Sequence, residues 1–241
     1  MHEIIIDTEK IPYTMRSSAR ARYIHIMIKP KGVEVVIPYG TPLYLVHDFI
    51  EKKKRHVLAA YQRLMAKVER ARSRKPERYV TGAELQFKGG MVPLVVERDG
   101  TGQPAVVFDN GFRVILPRKM GRSQCEHAVK KALKAWMKER LHADIGRLVG
   151  MYAKKLGFYP AGIRVKEQKH LWGSCGTTNI LNFNLRLIEF PQRILAYVVV
   201  HELCHIKHRN HSKKYWALVA SVLPEWRECR RQLKGHLIAA D

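Results

Sequence analysis

Apolar and polar residues alternate from Tyr23 to Pro38, with Ile24, Ile26 and Ile28 on one face and His25, Met27 and Lys29 on the other. Period-two alternation marks a half-buried strand, and Val33, Val35 and Ile37 repeat it after Lys31-Gly32, so the segment predicts a β-hairpin. The period then lengthens. From about Pro42 to Ser73 a helix is predicted, with Leu45, Phe49, Val57, Tyr61, Leu64 and Val68 as its apolar stripe and the charged run 51–55 outside it. Strands return at Leu85–Phe87, Val92–Val96, Val106–Phe108 and Phe112–Leu116, separated by the turn signals Gly89-Gly90, Asp99-Gly100 and Asn110-Gly111. From Ser123, a residue suited to cap a helix, Val129, Leu133, Trp136, Met137, Leu141, Ile145 and Leu148 recur at helical spacing until Gly157. Short strands are predicted at Ile163–Glu167 and Ile180–Ile188, a helix begins near Pro191, and another runs from Ser212 to Val222.

This order of elements predicts an α+β fold in two domains: a β-rich N-terminal domain with a long basic helix over residues 1–120, and a mixed domain over 121–241. The chain has 241 residues and 46% hydrophobic content, enough for a buried core. No apolar run approaches the length needed to cross a bilayer. Residues 1–7 carry acid where a secretory signal carries base, so a cytoplasmic location without membrane attachment is expected. Cys125, Cys175, Cys204 and Cys229 form no CxxC pair and read as reduced thiols.

Charge adds a possible partner. Forty-four Lys and Arg against 21 Asp and Glu leave +23, a field that favours polyanions, nucleic acid first among them. The second half of the long helix concentrates it, with Arg63, Lys67, Arg70, Arg72, Arg74 and Lys75 opposed only by Glu69. A solvated helix face would carry the same charges; a phosphate-facing patch is the sharper reading.

The chemistry lies in Tyr197-Val198-Val199-Val200-His201-Glu202-Leu203-Cys204-His205, an HExxH motif inside an apolar helical pattern. Residues four apart on a helix are about 40° apart around its axis and one turn apart along it, so both imidazoles can reach one ion. Glu202 is rotated aside, placed to miss the metal and accept a proton from water bound there. The uncharged run before His201 indicates that the helix is buried where its histidines begin, and a buried histidine without a partner is costly. Imidazole ligands with a hydrolytic glutamate favour zinc, although iron, cobalt, nickel or manganese could occupy the same cage.

For a third ligand the residues leave two choices. His208 would lie about 10 Å along the axis from His201 and is too far for the same ion. His211 returns to the ion if the helix ends near Asn210, a residue tolerant of a left-handed cap. Glu225, after Pro224, is the alternative, and its carboxylate would have to reach back along the intervening helix.

Four segments together resemble the YgjP-like metallopeptidase family: Leu171-Trp172-Gly173-Ser174-Cys175, the stretch from Ile180 to Leu187, the HExxH segment, and Asn210-His211-Ser212-Lys213-Lys214-Tyr215-Trp216. Arg16 to Arg22 also resembles the opening of that family's β-domain, which extends the likeness over nearly the whole chain. The resemblance implies a zincin-like domain related to SprT-like proteins, with metal ligands at His201, His205 and His211 and Glu202 as general base. It further implies that Ile180 to Leu187 is an edge strand that pairs with extended substrate. Trp172 and Ser174 read as structural, and His170, where the family pattern is departed from, as a surface residue. Tyr215 and His208 are the candidates for stabilising an oxyanion.

The function expected is therefore a zinc metallopeptidase acting on protein or peptide. A metal-dependent phosphoester or nucleotide hydrolase is the alternative, and a nucleic-acid-associated protein with structural zinc a third reading. Glu202 counts against the third, because a structural site has no use for a neighbouring base.

Overall fold

In the computed structural model, residues 2–6, 9–72, 76, 78–168, 170–234 and 236 are described. The chain divides into two compact units, Met1–Arg72 and Ser73–Asp241.

The first unit has four strands, β1 (His2–Ile6), β2 (Glu9–Ser18), β3 (His25–Lys29) and β4 (Gly32–Pro38), and one helix, α1 (Leu43–Arg72). Their order in the sheet is β1-β2-β4-β3, with β2 and β4 parallel and the other neighbours antiparallel. The expected hairpin is β3–β4, and Val33, Val35 and Ile37 are buried as its alternation required. Helix α1 closes over the sheet with Val46, Ile50 and Val57, which share a core with Ile4, Ile11 and Tyr13. Its buried stripe is offset by one residue from the expected one at the start: Val46 is fully buried and Leu45 is 43% exposed.

The second unit begins with β5 (Glu84–Phe87), β6 (Gly90–Gly100), β7 (Ala105–Phe108) and β8 (Phe112–Pro117), ordered β5-β6-β8-β7. These strands were expected to close the N-terminal domain, but they share their core with the following helix, α2 (Arg122–Leu156). Trp136 of α2 packs against the rings of Phe87, Phe108 and Phe112 at centroid distances of 5.8, 5.8 and 5.3 Å. Those aromatic contacts carry the division to Arg72–Ser73, away from residue 120. Ser123 does not cap α2; Gly121 holds that position with no side-chain hydrogen bond. At the other end Gly157, at φ +77°, makes the left-handed cap that ends the helix, its N–H donating to Ala153 O.

A second sheet follows from β9 (Gly162–Lys166), β10 (Gly173–Cys175) and β11 (Ile180–Asn184), in the order β10-β11-β9. The expected strand over Ile180–Ile188 is cut short at Asn184. Its side-chain amide donates to Gln168 O and Leu171 O and its oxygen accepts from Arg186 N, which turns the chain into a 3-10 helix over Leu185–Glu189. Helices α3 (Gln192–Lys207), α4 (Lys213–Val222) and α5 (Trp226–Lys234) complete the unit. No helix among the described residues is long and apolar enough to cross a membrane.

The β5–β6 turn anchors the segment that leads into α3. Lys88 N donates to Ile188 O and Gly89 N to Glu189 O, at 2.8 and 2.9 Å. Lys88 Nζ meanwhile reaches the buried Asp144 of α2 at 2.6 Å, and Arg147 and Arg140 approach the same carboxylate. Burial pushes the Asp144 carboxyl up, but the hydrogen bonds from Lys88 and Arg147 outweigh it and hold it below its usual range. Its contribution to stability is therefore complete above the ordinary carboxylate pKa and is lost as pH falls through the depressed folded value. Asp144→Asn should cost about 2 kcal/mol at neutral pH, since it replaces the charged acceptor of Lys88 and Arg147 with a neutral amide. Denaturant unfolding of variant and wild type should converge as the solution is acidified; a constant difference across pH would contradict this account.

Candidate metal centre

Helix α3 is the most enclosed helix of the second unit, with every residue from Ile194 to Val200 buried. Apolar residues on all sides commit it to the core, so polar groups can emerge only at its end. There His201 and His205 are half-buried, Glu202 is 4% exposed, and Leu203 and Cys204 are fully enclosed. The helix stops at Lys207 with His208 extended at φ −129°, not with a left-handed residue at Asn210. The chain then reverses. Ser212 caps α4 by accepting from Tyr215 N, and this brings His211 back over the end of α3.

The nitrogens of His201, His205 and His211 lie within 4.8 Å of one another. His201 Nε2 and His211 Nε2 are 3.3 Å apart. Two nitrogens each about 2.0–2.1 Å from one ion at the tetrahedral angle would stand about 3.4 Å apart, so the pair has the spacing a tetrahedral cation requires. Proton placement agrees. Tyr215 Oη donates to His201 O at 3.0 Å and, at 2.6 Å from His201 Nδ1, is left to accept the ring N–H. His205 Nδ1 lies 3.0 Å from His208 O, which can only accept. Both helix histidines therefore carry their protons on Nδ1 and turn the Nε2 lone pair toward the cluster, as metal ligands do. Burial lowers the pKa of all three, that of His201 to about 3, which keeps the imidazoles neutral and able to bind. The donor set suits a divalent ion of the zinc type, with a fourth position left open.

Tyr215 is fully buried, and its hydroxyl is committed to His201. It orients the His201 ring and has no free proton to offer an oxyanion. His208 enters the site through its backbone carbonyl only. Glu225 falls outside the cluster: its carbonyl accepts from Glu228 N and Cys229 N at the start of α5, and its charge acts on Tyr152 and Cys229. His170 is exposed, as expected.

A model of the YgjP-like metallopeptidase domain matches residues 22–236. The chain belongs to the YgjP-like family. No curated protein sequence matches this YgjP-like chain. Among solved structures it is similar over 37% of its length to the metallopeptidase zymogen of Pyrococcus abyssi abylysin, at 20% identity, a TM-score of 0.35 and 90% coverage of that chain. It is likewise similar over 37% of its length to the metallopeptidase zymogen of Methanocaldococcus jannaschii jannalysin, at 25% identity, a TM-score of 0.35 and 93% coverage of that chain.

Two features of this YgjP-like site escaped the sequence. The expected edge strand over Ile180–Leu187 is central: β11 pairs with β10 on one side and β9 on the other, so the free edge beside α3 belongs to β10. A Cβ on Gly173 of β10 would stand 2.6 Å from Glu202 Oε1 and 2.8 Å from its Cγ, so the absent side chain is what admits Glu202. Arg209 then ties the loop after α3 to the β10–β11 turn, donating to Gly176 O at 2.9 Å and to Asn179 Oδ1. Trp172, read as structural, is half-buried with its ring edge-on to Phe190 at 5.1 Å.

Gly173→Ala should destabilise the fold by about 1–3 kcal/mol, because the clash reaches Glu202 Cγ as well as its carboxyl, and should displace that carboxyl. Thermal unfolding and a crystal structure of the variant test both halves; Glu202 found unmoved would show that Gly173 has no such role.

Proposed function

We propose that this YgjP-like protein is a zinc-dependent peptidase of zincin type, with His201, His205 and His211 as metal ligands and Glu202 as general base. The observation that carries the reading is the convergence of three Nε2-presenting histidines beside a buried carboxyl. Zinc bound there would supply a Lewis acid that polarises a carbonyl and lowers the pKa of water in its open position.

The chain's own residues do the rest. Burial pushes the Glu202 carboxyl up to about 8, toward the range where one group can both take a proton and return it near neutral pH. A Glu202 oxygen takes the proton of the attacking water as the C–O bond forms, then passes it to the amine nitrogen, and the C–N bond breaks as the tetrahedral adduct collapses. Tyr215 and the His208 carbonyl hold the ligand imidazoles in their tautomers throughout. The free edge of β10 offers backbone groups to an extended peptide, which would lie across the end of α3 as an added strand.

Peptide is preferred over a phosphate ester as substrate because the family is described as a metallopeptidase domain. Nucleic acid enters as an accessory partner through α1. Lys53, Arg55 and Arg63 are exposed there, while Lys52 and Lys54 are paired with Asp48 and Glu51. The expected patch beyond Arg63 rests on Lys67, Arg70, Arg72, Arg74 and Lys75, which lie outside the described side chains.

Glu202→Gln should retain zinc at wild-type stoichiometry while turnover of a mixed peptide library falls by about three orders of magnitude or more. Metal analysis and product analysis on the same sample decide it, and wild-type turnover in the variant would remove Glu202 from the mechanism. The third ligand is tested separately. His211→Ala should lose most of its zinc on gel filtration against a weak chelator, and Glu225→Ala should keep it. The reverse pattern would transfer the ligand to Glu225.

A further inference from the structure

Arg230 is a cation that the proposed chemistry leaves unused. It lies on α5, with its guanidinium carbon 4.8 Å from the centroid of the Trp216 ring. Trp216 in turn stacks on His211 at 5.4 Å and 20°, and lies 6.0 Å from His201. The guanidinium and two of the three clustered imidazoles therefore contact the same indole, which also stacks on Trp226 at 4.3 Å and 15°.

Neighbouring arginines on this face have partners: Arg231 pairs with Glu228, Arg193 donates to Gln232 at 3.0 Å, and Arg227 lies over Trp226 at 4.8 Å. Arg230 is half-buried, and among the described residues neither a carboxylate nor a carbonyl accepts from it. A partly desolvated cation beside a position built for a second cation is unfavourable, and the Trp216 face offsets only part of the cost. An anion bound at the guanidinium would relieve that cost.

We propose that Arg230 is a substrate-binding residue that takes a carboxylate of the peptide, placed close to the scissile bond. The proposal rests on the metallopeptidase reading and adds the substrate class to it. A carboxylate matches the guanidinium fork with two parallel hydrogen bonds, and a guanidinium that shares the Trp216 ring with two of the imidazoles is near enough to serve a residue next to the bond that is cut. Either a free C-terminus or an acidic side chain could supply it.

The test uses the full-length, zinc-loaded protein and three thiol-headed dipeptides, mercaptoacetyl compounds whose sulfur binds the metal. One has a free C-terminus and neutral side chains, one is its C-terminal amide, and one is an amide with an aspartate side chain. Titration calorimetry on wild type should show at least one carboxylate form binding about 10- to 100-fold more tightly than the neutral amide, and which form does so identifies the source. Arg230→Gln should abolish that preference and leave the Kd of the neutral amide unchanged. Arg230→Lys should restore part of it, because the ammonium lacks the fork, and it serves also if the glutamine variant fails to fold. Equal binding of all three compounds by wild type overturns the proposal, as does an equal loss for all three in Arg230→Gln. If wild type neither retains zinc nor binds any thiol, the metallopeptidase reading itself fails, a result distinct from thiol binding without discrimination.

Discussion

The site depends on the enclosure of α3. From Ile194 to Val200 the helix has no face turned to water, so it is held by α2, α4, α5 and the β10 edge and cannot rotate without exposing apolar surface. That immobility fixes where the next turn points. His201, Glu202 and His205 inherit their directions from the core, and the loop through Asn210 has only to bring one further imidazole to a place already defined. The buried hydroxyl of Tyr215 completes the arrangement from α4, binding both the ring and the carbonyl of His201. Orientation by packing precedes any contribution from a metal, the condition under which a bound ion meets a site in order.

Glu202 is held by a different device. A carboxyl that is 4% exposed needs room next to it as much as it needs partners, and Gly173 provides the room by having no side chain. The strand that carries Gly173 is itself fixed at both ends. Asn184 N donates to Trp172 O at 2.9 Å, and Arg209 grips the turn beyond Cys175. In consequence Glu202, the free strand edge and the loop after α3 form one connected piece, in which a shift of β10 would be felt at Glu202 directly.

Much of this was legible in the sequence because local periodicity and local chemistry agreed. The strand Glu84–Phe87, the β7–β8 turn at Asn110-Gly111, the helix ending at Gly157 and the helix opening at Ser212 carry their own boundaries as glycine, asparagine or serine, whereas Asp99-Gly100, expected as a turn, lies inside β6 because Gly100 pairs with Pro117. His201, Glu202 and His205 were readable for the same reason, since a single helix sets their spacing. What could not be read depended on partners distant in the chain. The domain boundary moved because Trp136 packs on three phenylalanines from the preceding strands. The break at Asn184 needs acceptors at Gln168 and Leu171, and the central place of β11 depends on a parallel pairing with β9. No periodicity within a segment encodes such contacts. Ser123 shows the converse failure: a residue with good capping chemistry stands two positions inside the helix, whose first turn is left to Gly121.

Net charge illustrates how composition becomes specific only through placement. The value of +23 says that anions are welcome without saying where. In the structure the basic residues fall into different physical situations. Some, such as Lys52 and Lys54 on α1, are exposed and already paired, so water and salt reduce their effect to little. Lys88, Arg140 and Arg147 are spent on Asp144 and hold the β5–β6 turn to α2. Arg230 differs from both groups, being half-buried, supported by an aromatic face and close to neutral imidazoles. Electrostatic interactions strengthen as water is excluded, so one such residue can discriminate between ligands more than a larger number on an open helix face. The excess of positive charge and the selectivity of the site are on this argument separate properties, and the second does not follow from the first.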